Sequence, residues 1–167
     1  MNSKKRYPVK RTVYMQTVGR LLPRRISQVL MALGFSVWIN PGQGNDIDMK
    51  VWHNDRLILV AEILNWSIGS RMSDRRLRKM ISNLNKYDCR KLQIYTTLDE
   101  KSLSTFNQNG IDTLQIGYQL LPKYYYNFFC SKEQVEKRKI DSAATKEEIK
   151  HRIISYLKKH YLHIGIY

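Results

Sequence analysis

The chain has 167 residues, 43% of them apolar, enough to bury the core of one domain. Its 29 Lys and Arg against 14 Asp and Glu leave a formal charge of +15, which calls for a polyanionic partner, nucleic acid before an anionic membrane surface. No apolar run reaches the roughly 20 residues that span a bilayer, and the basic start Met1-Asn2-Ser3-Lys4-Lys5-Arg6 lacks the apolar stretch of a secretory leader. A cytoplasmic protein associated with nucleic acid and not with membranes is the expectation. Cys89 and Cys130 have no metal-ligand spacing around them and read as incidental thiols of a reducing compartment, a disulfide staying open.

Residues 1–25 carry eight Lys or Arg and no acid. They read as a flexible arm or a basic strand, with 1–19 as a basic N-terminal arm and 20–121 as the core. Pro23 suits the first turn of a helix, Ile26, Val29, Leu30 and Leu33 then recur at intervals of three and four, and Gly34 ends it. Phe35 to Ile39 reads as a strand and Pro41-Gly42-Gln43-Gly44 as a loop. A second strand runs from Asp46 to Trp52, turns through His53-Asn54-Asp55 and returns as Leu57 to Leu64. The returning run is apolar on both faces, as a central strand covered on both sides must be.

Ser73 is placed to cap the next helix, with Leu77, Met80, Ile81, Leu84 and Tyr87 inward and Arg75, Arg76, Lys79 and Lys86 outward. A strand over Leu92 to Thr96, a helix from Asp99 to Asn107 stopped at Gly110, and a strand from Ile111 to Ile116 complete the core. Helix, three strands, helix, strand, helix, strand predicts an α/β domain with helices on both faces of its sheet. Residues 122–167 form an aromatic and helical extension: the cluster Tyr124 to Phe129, capping boxes at Ser131/Gln134 and Thr145/Glu148, and a stripe of Ile149, Ile153, Tyr156 and Leu157. That extension either packs on the sheet or forms a dimer contact.

The acids carry the chemistry. Alternation along a strand puts Asp46, Asp48 and Lys50 on one side, and Glu62 joins them if the next run folds back as a hairpin partner. Carboxylates gathered in a cationic chain suit divalent-metal hydrolysis of a phosphodiester, the acids holding the cation and the basic residues the polymer. Alone, Asp46 and Asp48 at a loop-to-strand junction are ordinary turn residues. Glu62, at the end of a buried run, weighs more, and an ion pair with an Arg of the following helix is the structural alternative. Trp38, Trp52 and Trp66 read as core or rim residues, and His53, His151, His160 and His163 are too scattered for a role.

Gly34-Phe35 at the end of the first helix, the loop Pro41 to Asn45, Asp48 or Asp46 before an apolar residue, and Glu62-Ile63-Leu64 in a Glu-x-Lys slot form a recognisable series. With the basic helix over 74–87, Thr96-Thr97 and Gly110-Ile111, the arrangement resembles the PD-(D/E)xK nuclease superfamily, particularly archaeal Holliday junction resolvases and Mrr-like restriction endonucleases. The likeness covers roughly residues 20–118. It implies a restriction-endonuclease-like mixed β-sheet flanked by helices with a C-terminal helical extension, and a Mg²⁺- or Mn²⁺-dependent DNA endonuclease, acting as a homodimer.

In that reading Asp48 and Glu62 bind the metal directly with help from the Ile63 carbonyl, and Asp46 binds directly or through water. Arg24, Arg25, Arg71, Arg75, Arg76, Lys79 and Lys86 hold DNA phosphates. Two departures stand out. The family lysine is replaced by Leu64, followed by Asn65, and residues 17–33 contain no acid. Lys50 is expected to replace the lysine. Asn65 competes for the role, although alternation sends it to the face opposite Glu62. The alternatives are a non-catalytic DNA-binding protein on a degenerate nuclease fold and an RNA-processing endonuclease.

Overall fold

The computed structural model describes residues 10–42, 44, 46–123 and 138–161. Helix α1 (Arg11–Ala32) is followed by β1 (Ser36–Ile39), β2 (Met49–His53), β3 (Arg56–Leu64), α2 (Asp74–Leu84), β4 (Arg90–Tyr95), α3 (Glu100–Gln108) and β5 (Asp112–Gln115). The element order matches the sequence expectation. Short strands β6 (Gln119–Leu121) and β7 (Arg138–Ile140) then pair in parallel, and α4 (Ala143–Tyr161) closes the described chain.

The sheet is mixed, in the order β1-β2-β3-β4-β5. The first three strands form antiparallel neighbours, while β3–β4 and β4–β5 are parallel. Two crossovers of one hand that step in one direction put their helices on one face, so α2 and α3 share a side. Leu77, Met80 and Leu84 of α2 and Phe106 of α3 meet Val60 and Leu64 of β3 there. The other face takes α1 and α4: Leu22, Ile26 and Leu30 join Ile149, Ile153 and Leu157 over Leu59, Ala61 and Ile63. Strand β3 is buried from Ile58 to Leu64, as its two-sided apolar run requires. The C-terminal stripe packs on the sheet, which resolves the choice left open by the sequence.

The β2–β3 hairpin turns through Asn54 and Asp55, with φ of 49° and 62°. Two successive left-handed residues are what a two-residue hairpin turn needs, and Asn and Asp tolerate that region best. Helix α1 ends in a Schellman motif: the Gly34 N–H bonds the Met31 carbonyl and the Phe35 N–H the Leu30 carbonyl. Gly34 supplies the φ of 97° that this requires.

Three sequence expectations are corrected. Residues 11–19 are helical and not an arm, and Pro23 lies inside α1 instead of at its start. Tyr14, Val18, Leu21 and Leu22 extend the stripe of Ile26 and Leu30 backwards and are all buried. An internal proline costs about 3 kcal/mol, and burying several large side chains at ~1.5–3 kcal/mol each outweighs it. Strand β2 begins at Met49, so Asp46 and Asp48 precede it. The last helix starts at Ala143, two residues before the expected cap at Thr145, and the Ser142 hydroxyl accepts from the Thr145 N–H. The aromatic cluster 124–129, the Ser131/Gln134 box and Cys130 lie outside the described residues. Cys89 is a free, half-buried thiol. Among the described residues no helix is long and apolar enough to cross a membrane.

Candidate functional site

Glu62 belongs to the α2 side of β3, between Val60 and Leu64, and is 6% exposed. The register Met49↔Ala61 brings the residue before β2, Asp48, beside the Glu62–Ile63 pair. Asp48 Oδ2 accepts the Ile63 N–H at 2.8 Å, and the Asp48 carboxyl lies close enough to Glu62 to raise its pKa. Burial pushes the Glu62 carboxyl up to about 10, with Asp48 adding charge repulsion; Arg76 opposes this only in part. Without a cation, Glu62 therefore keeps its proton through the neutral range.

Asp46 is near enough for its charge to raise Glu62 further, yet its own partners lie elsewhere. Oδ1 accepts from the Tyr87 hydroxyl at 2.6 Å and from the Ile47 N–H at 2.7 Å, while Oδ2 meets Lys50 Nζ at 3.1 Å. Burial alone would raise the Asp46 carboxyl, but these three donors outweigh it and hold the group below the usual carboxylate range. The expected three-acid set is thus corrected to a pair: among the described residues no three acidic or imidazole groups gather to hold a metal. Ile63 contributes its N–H to Asp48.

Lys50 shares the α2 face through its pairing with Val60. Its ammonium pairs with Asp46 and stands 4.7 Å from the Trp38 ring centre and 5.1 Å from that of Tyr87. The Tyr87 contact, first, and then Asp46 keep its pKa above the ordinary value despite burial. Leu64, in the slot where the resemblance puts a lysine, is buried in the α2 cluster.

Asn65 is removed from the candidates. Its amide donates to the Val18 carbonyl at 2.9 Å and the Leu120 carbonyl at 2.7 Å, and its Oδ1 accepts the Leu120 N–H at 2.7 Å. It ties the end of β3 to α1 and β6, on the side away from Glu62.

Arg25 is also reassigned: Nε donates to Asp141 Oδ1 at 2.8 Å and Nη2 to Oδ2, a side-on bidentate clamp from α1 to the approach of α4. Arg24 is exposed on α1, the layer opposite α2, and does not share a surface with the acids. Arg71, Arg75, Arg76, Lys79 and Lys86 are exposed on or beside α2, with Arg78 added to them. Arg76 bridges the two sets, since its guanidinium lies 4.9 Å from the Trp66 ring centre and its charge reaches Glu62.

Sequence reasoning missed three contributors. Tyr87 looked like one more inward position of α2 but follows the helix and hydrogen-bonds Asp46. Asn40 donates its N–H to the Asp48 carbonyl and its side-chain amide to the Ile47 carbonyl, which holds the acid-bearing segment in place. Gln93 stands opposite Glu62 on β4, wholly buried, with Oε1 lacking a hydrogen-bond partner. Its Nε2 donates to the Glu62 and Ile94 carbonyls. The paired signal that could have found Gln93 was a polar residue inside the otherwise apolar strand Leu92 to Tyr95.

Comparison of the chain with family models, with curated proteins and with solved structures found no match.

Proposed function

We propose that the protein is a metal-dependent endonuclease that hydrolyses DNA phosphodiester bonds on a restriction-endonuclease-like core, two copies serving two strands. The observation that carries this reading is the Asp48–Glu62 pair: two carboxyls side by side on adjacent chain segments, one of them buried, beside an exposed cationic helix. A buried acid facing another acid is costly unless something positive joins them.

The donor set fits Mg²⁺ or Mn²⁺. Both are hard cations that prefer oxygen and need only one or two protein carboxylates beside water, and Asp48 and Glu62 would hold the ion. Gln93, opposite Glu62 on β4, keeps a buried Oε1 without a hydrogen-bond partner, a further polar group on the same face. When bound, such an ion neutralises phosphate oxygens and lowers the pKa of water. The chain's own residues do the remainder. Arg75, Arg76 and Lys79 grip the backbone phosphates beside the cut, and Arg76 is the one poised nearest the carboxyl pair. Lys50 offsets charge on the phosphoryl group once DNA competes with Asp46 for its ammonium.

A second reading, a non-catalytic DNA-binding protein, draws support from Leu64 buried in the lysine slot and from Lys50 already paired with Asp46. One assay separates them. Supercoiled plasmid is incubated with Mg²⁺ or Mn²⁺ and wild type, Glu62→Gln or Lys50→Ala. For the enzyme, nicking appears with wild type and falls by about a hundredfold or more in Glu62→Gln, the scale on which a transition-state contact acts. Salt-sensitive plasmid binding without any cleavage selects the second reading. Undiminished cleavage by Lys50→Ala removes Lys50 from the mechanism and leaves the carboxyl pair in place.

A further inference from the structure

Among the described residues, Trp38 on β1 and Trp52 on β2 belong to none of the hydrophobic clusters. Both are half-buried. Their face follows from the register. Trp38 pairs with Lys50, which pairs with Val60 in the α2 cluster, while Trp52 pairs with Leu57, packed on that same cluster. Val37 and Ile39, on either side of Trp38, and Met49 and Val51, on either side of Lys50, belong to the α1 cluster. Trp38, Lys50 and Trp52 therefore occupy the α2 face of the hairpin, the face of Glu62. Successive same-face positions of a strand lie about 6.6–6.8 Å apart, so one position separates the carboxyl pair from Lys50 and a second reaches Trp52.

A half-buried tryptophan outside those clusters leaves part of its ring at the water boundary, and one face of Trp38 already carries the Lys50 ammonium, 4.7 Å from the ring centre. Two of them flanking a lysine, beside the exposed cations of α2, supply both components of single-strand recognition: ring faces for bases and positive charge for the backbone. Aromatic residues on an open sheet face are an established way of stacking unpaired bases. In a duplex the base faces are already stacked on one another, so only unpaired nucleotides can use such rings.

We infer that the β1–β2 face is a binding surface for unpaired nucleobases, with Trp38 and Trp52 as stacking residues and Lys50 between them facing the phosphates. The inference deepens the proposed nuclease activity and rests on it for the substrate. It makes the favoured nucleic acid one with an unpaired segment next to the scissile bond.

The test is fluorescence anisotropy on the full chain without metal, using a labelled oligo(dT) about twelve nucleotides long and a blunt hairpin duplex of equal phosphate number. Wild type is compared with Trp38→Ala, Trp52→Ala and the ring-preserving Trp38→Phe. Stacking contributes ~1–3 kcal/mol per base, so each alanine variant should bind oligo(dT) about tenfold more weakly or worse, with duplex binding unchanged and Trp38→Phe close to wild type. Should Trp38→Ala fail to fold in a thermal melt, Trp52→Ala and quenching of wild-type tryptophan emission by unlabelled oligo(dT) decide the matter. Equal losses on oligo(dT) and duplex, or no loss and no quenching, overturn the inference; a face that docks a protein segment gives the second result. The two proposals fail separately. Ring-dependent oligo(dT) binding with no plasmid cleavage removes the enzyme alone, whereas Glu62-dependent cleavage with ring-independent binding removes the stacking surface alone.

Discussion

The two faces of the sheet are built to different rules. Under α1 and α4 the packing is apolar and closed, and the polar groups admitted there are fully used: Asn65 makes three side-chain hydrogen bonds and the Tyr161 hydroxyl bonds the Ile58 carbonyl. Under α2 the same sheet carries a buried, protonated Glu62 beside Asp48, an orphan amide oxygen on Gln93 and two tryptophans outside the clusters of the described residues. Polar groups left unsatisfied cost stability and persist where a ligand completes them. Both faces carry an apolar cluster, and among the described residues only the α2 face also carries a buried acid and an unsatisfied amide oxygen.

That contrast can be broken by mutation. Ile26→Ala, in the closed face, should cost about 2–5 kcal/mol in urea unfolding, since Ile26 is wholly buried between α1 and the sheet. A cost below about 1 kcal/mol, the range of a surface change, would show that face to be loosely packed. Asn65→Leu should cost a further, smaller amount, about 1–3 kcal/mol, because it strands the Leu120 N–H and two carbonyls in a buried setting. Plasmid cleavage per folded molecule should survive it. Cleavage lost while the fold is kept would return Asn65 to the site.

The open face should respond to pH in the opposite sense to a salt-bridged acid. Glu62 has a folded pKa near 10 against an ordinary 4.5, so the folded state retains a proton that the unfolded state has released. Stability of the metal-free protein is then greatest below about 4.5 as far as this group is concerned, and falls as pH rises through the window up to 10. The slope is at most about 1.4 kcal/mol per pH unit for one proton. Urea midpoints of wild type and Glu62→Gln at several pH values check this: the difference between them should grow with pH, and Mn²⁺ should reduce it for wild type. Parallel midpoints would mean that Glu62 ionises normally.

Much of the fold was legible because its signals are local. Alternation and three-to-four spacing located the helices and the five strands of the main sheet to within a few residues, except the first half of α1, and missed the short strand β6. Gly34 and the Asn54-Asp55 pair announced their turns by the backbone conformations that only such residues accept readily. At the site, Glu62 was legible as a charge inside a buried run, and Asp48 as its hairpin neighbour.

Other features depended on contacts that no local window contains. Pro23 marks a helix start by its chemistry, and only the burial of Tyr14 and Val18 beneath the rest of the fold carries α1 back past it. Asp46 was separated from the other acids by Tyr87, 41 positions away, and Asn65 was drawn to the closed face by Leu120, 55 positions away. Composition and periodicity alone determined an α/β protein with a cationic helix and acids on neighbouring strands. Which acids pair, which amide is structural and which tryptophans escape the core were decided by tertiary structure. A side chain's partner is set by which segments the sheet register brings within a few ångströms, and spacing along the chain does not encode that.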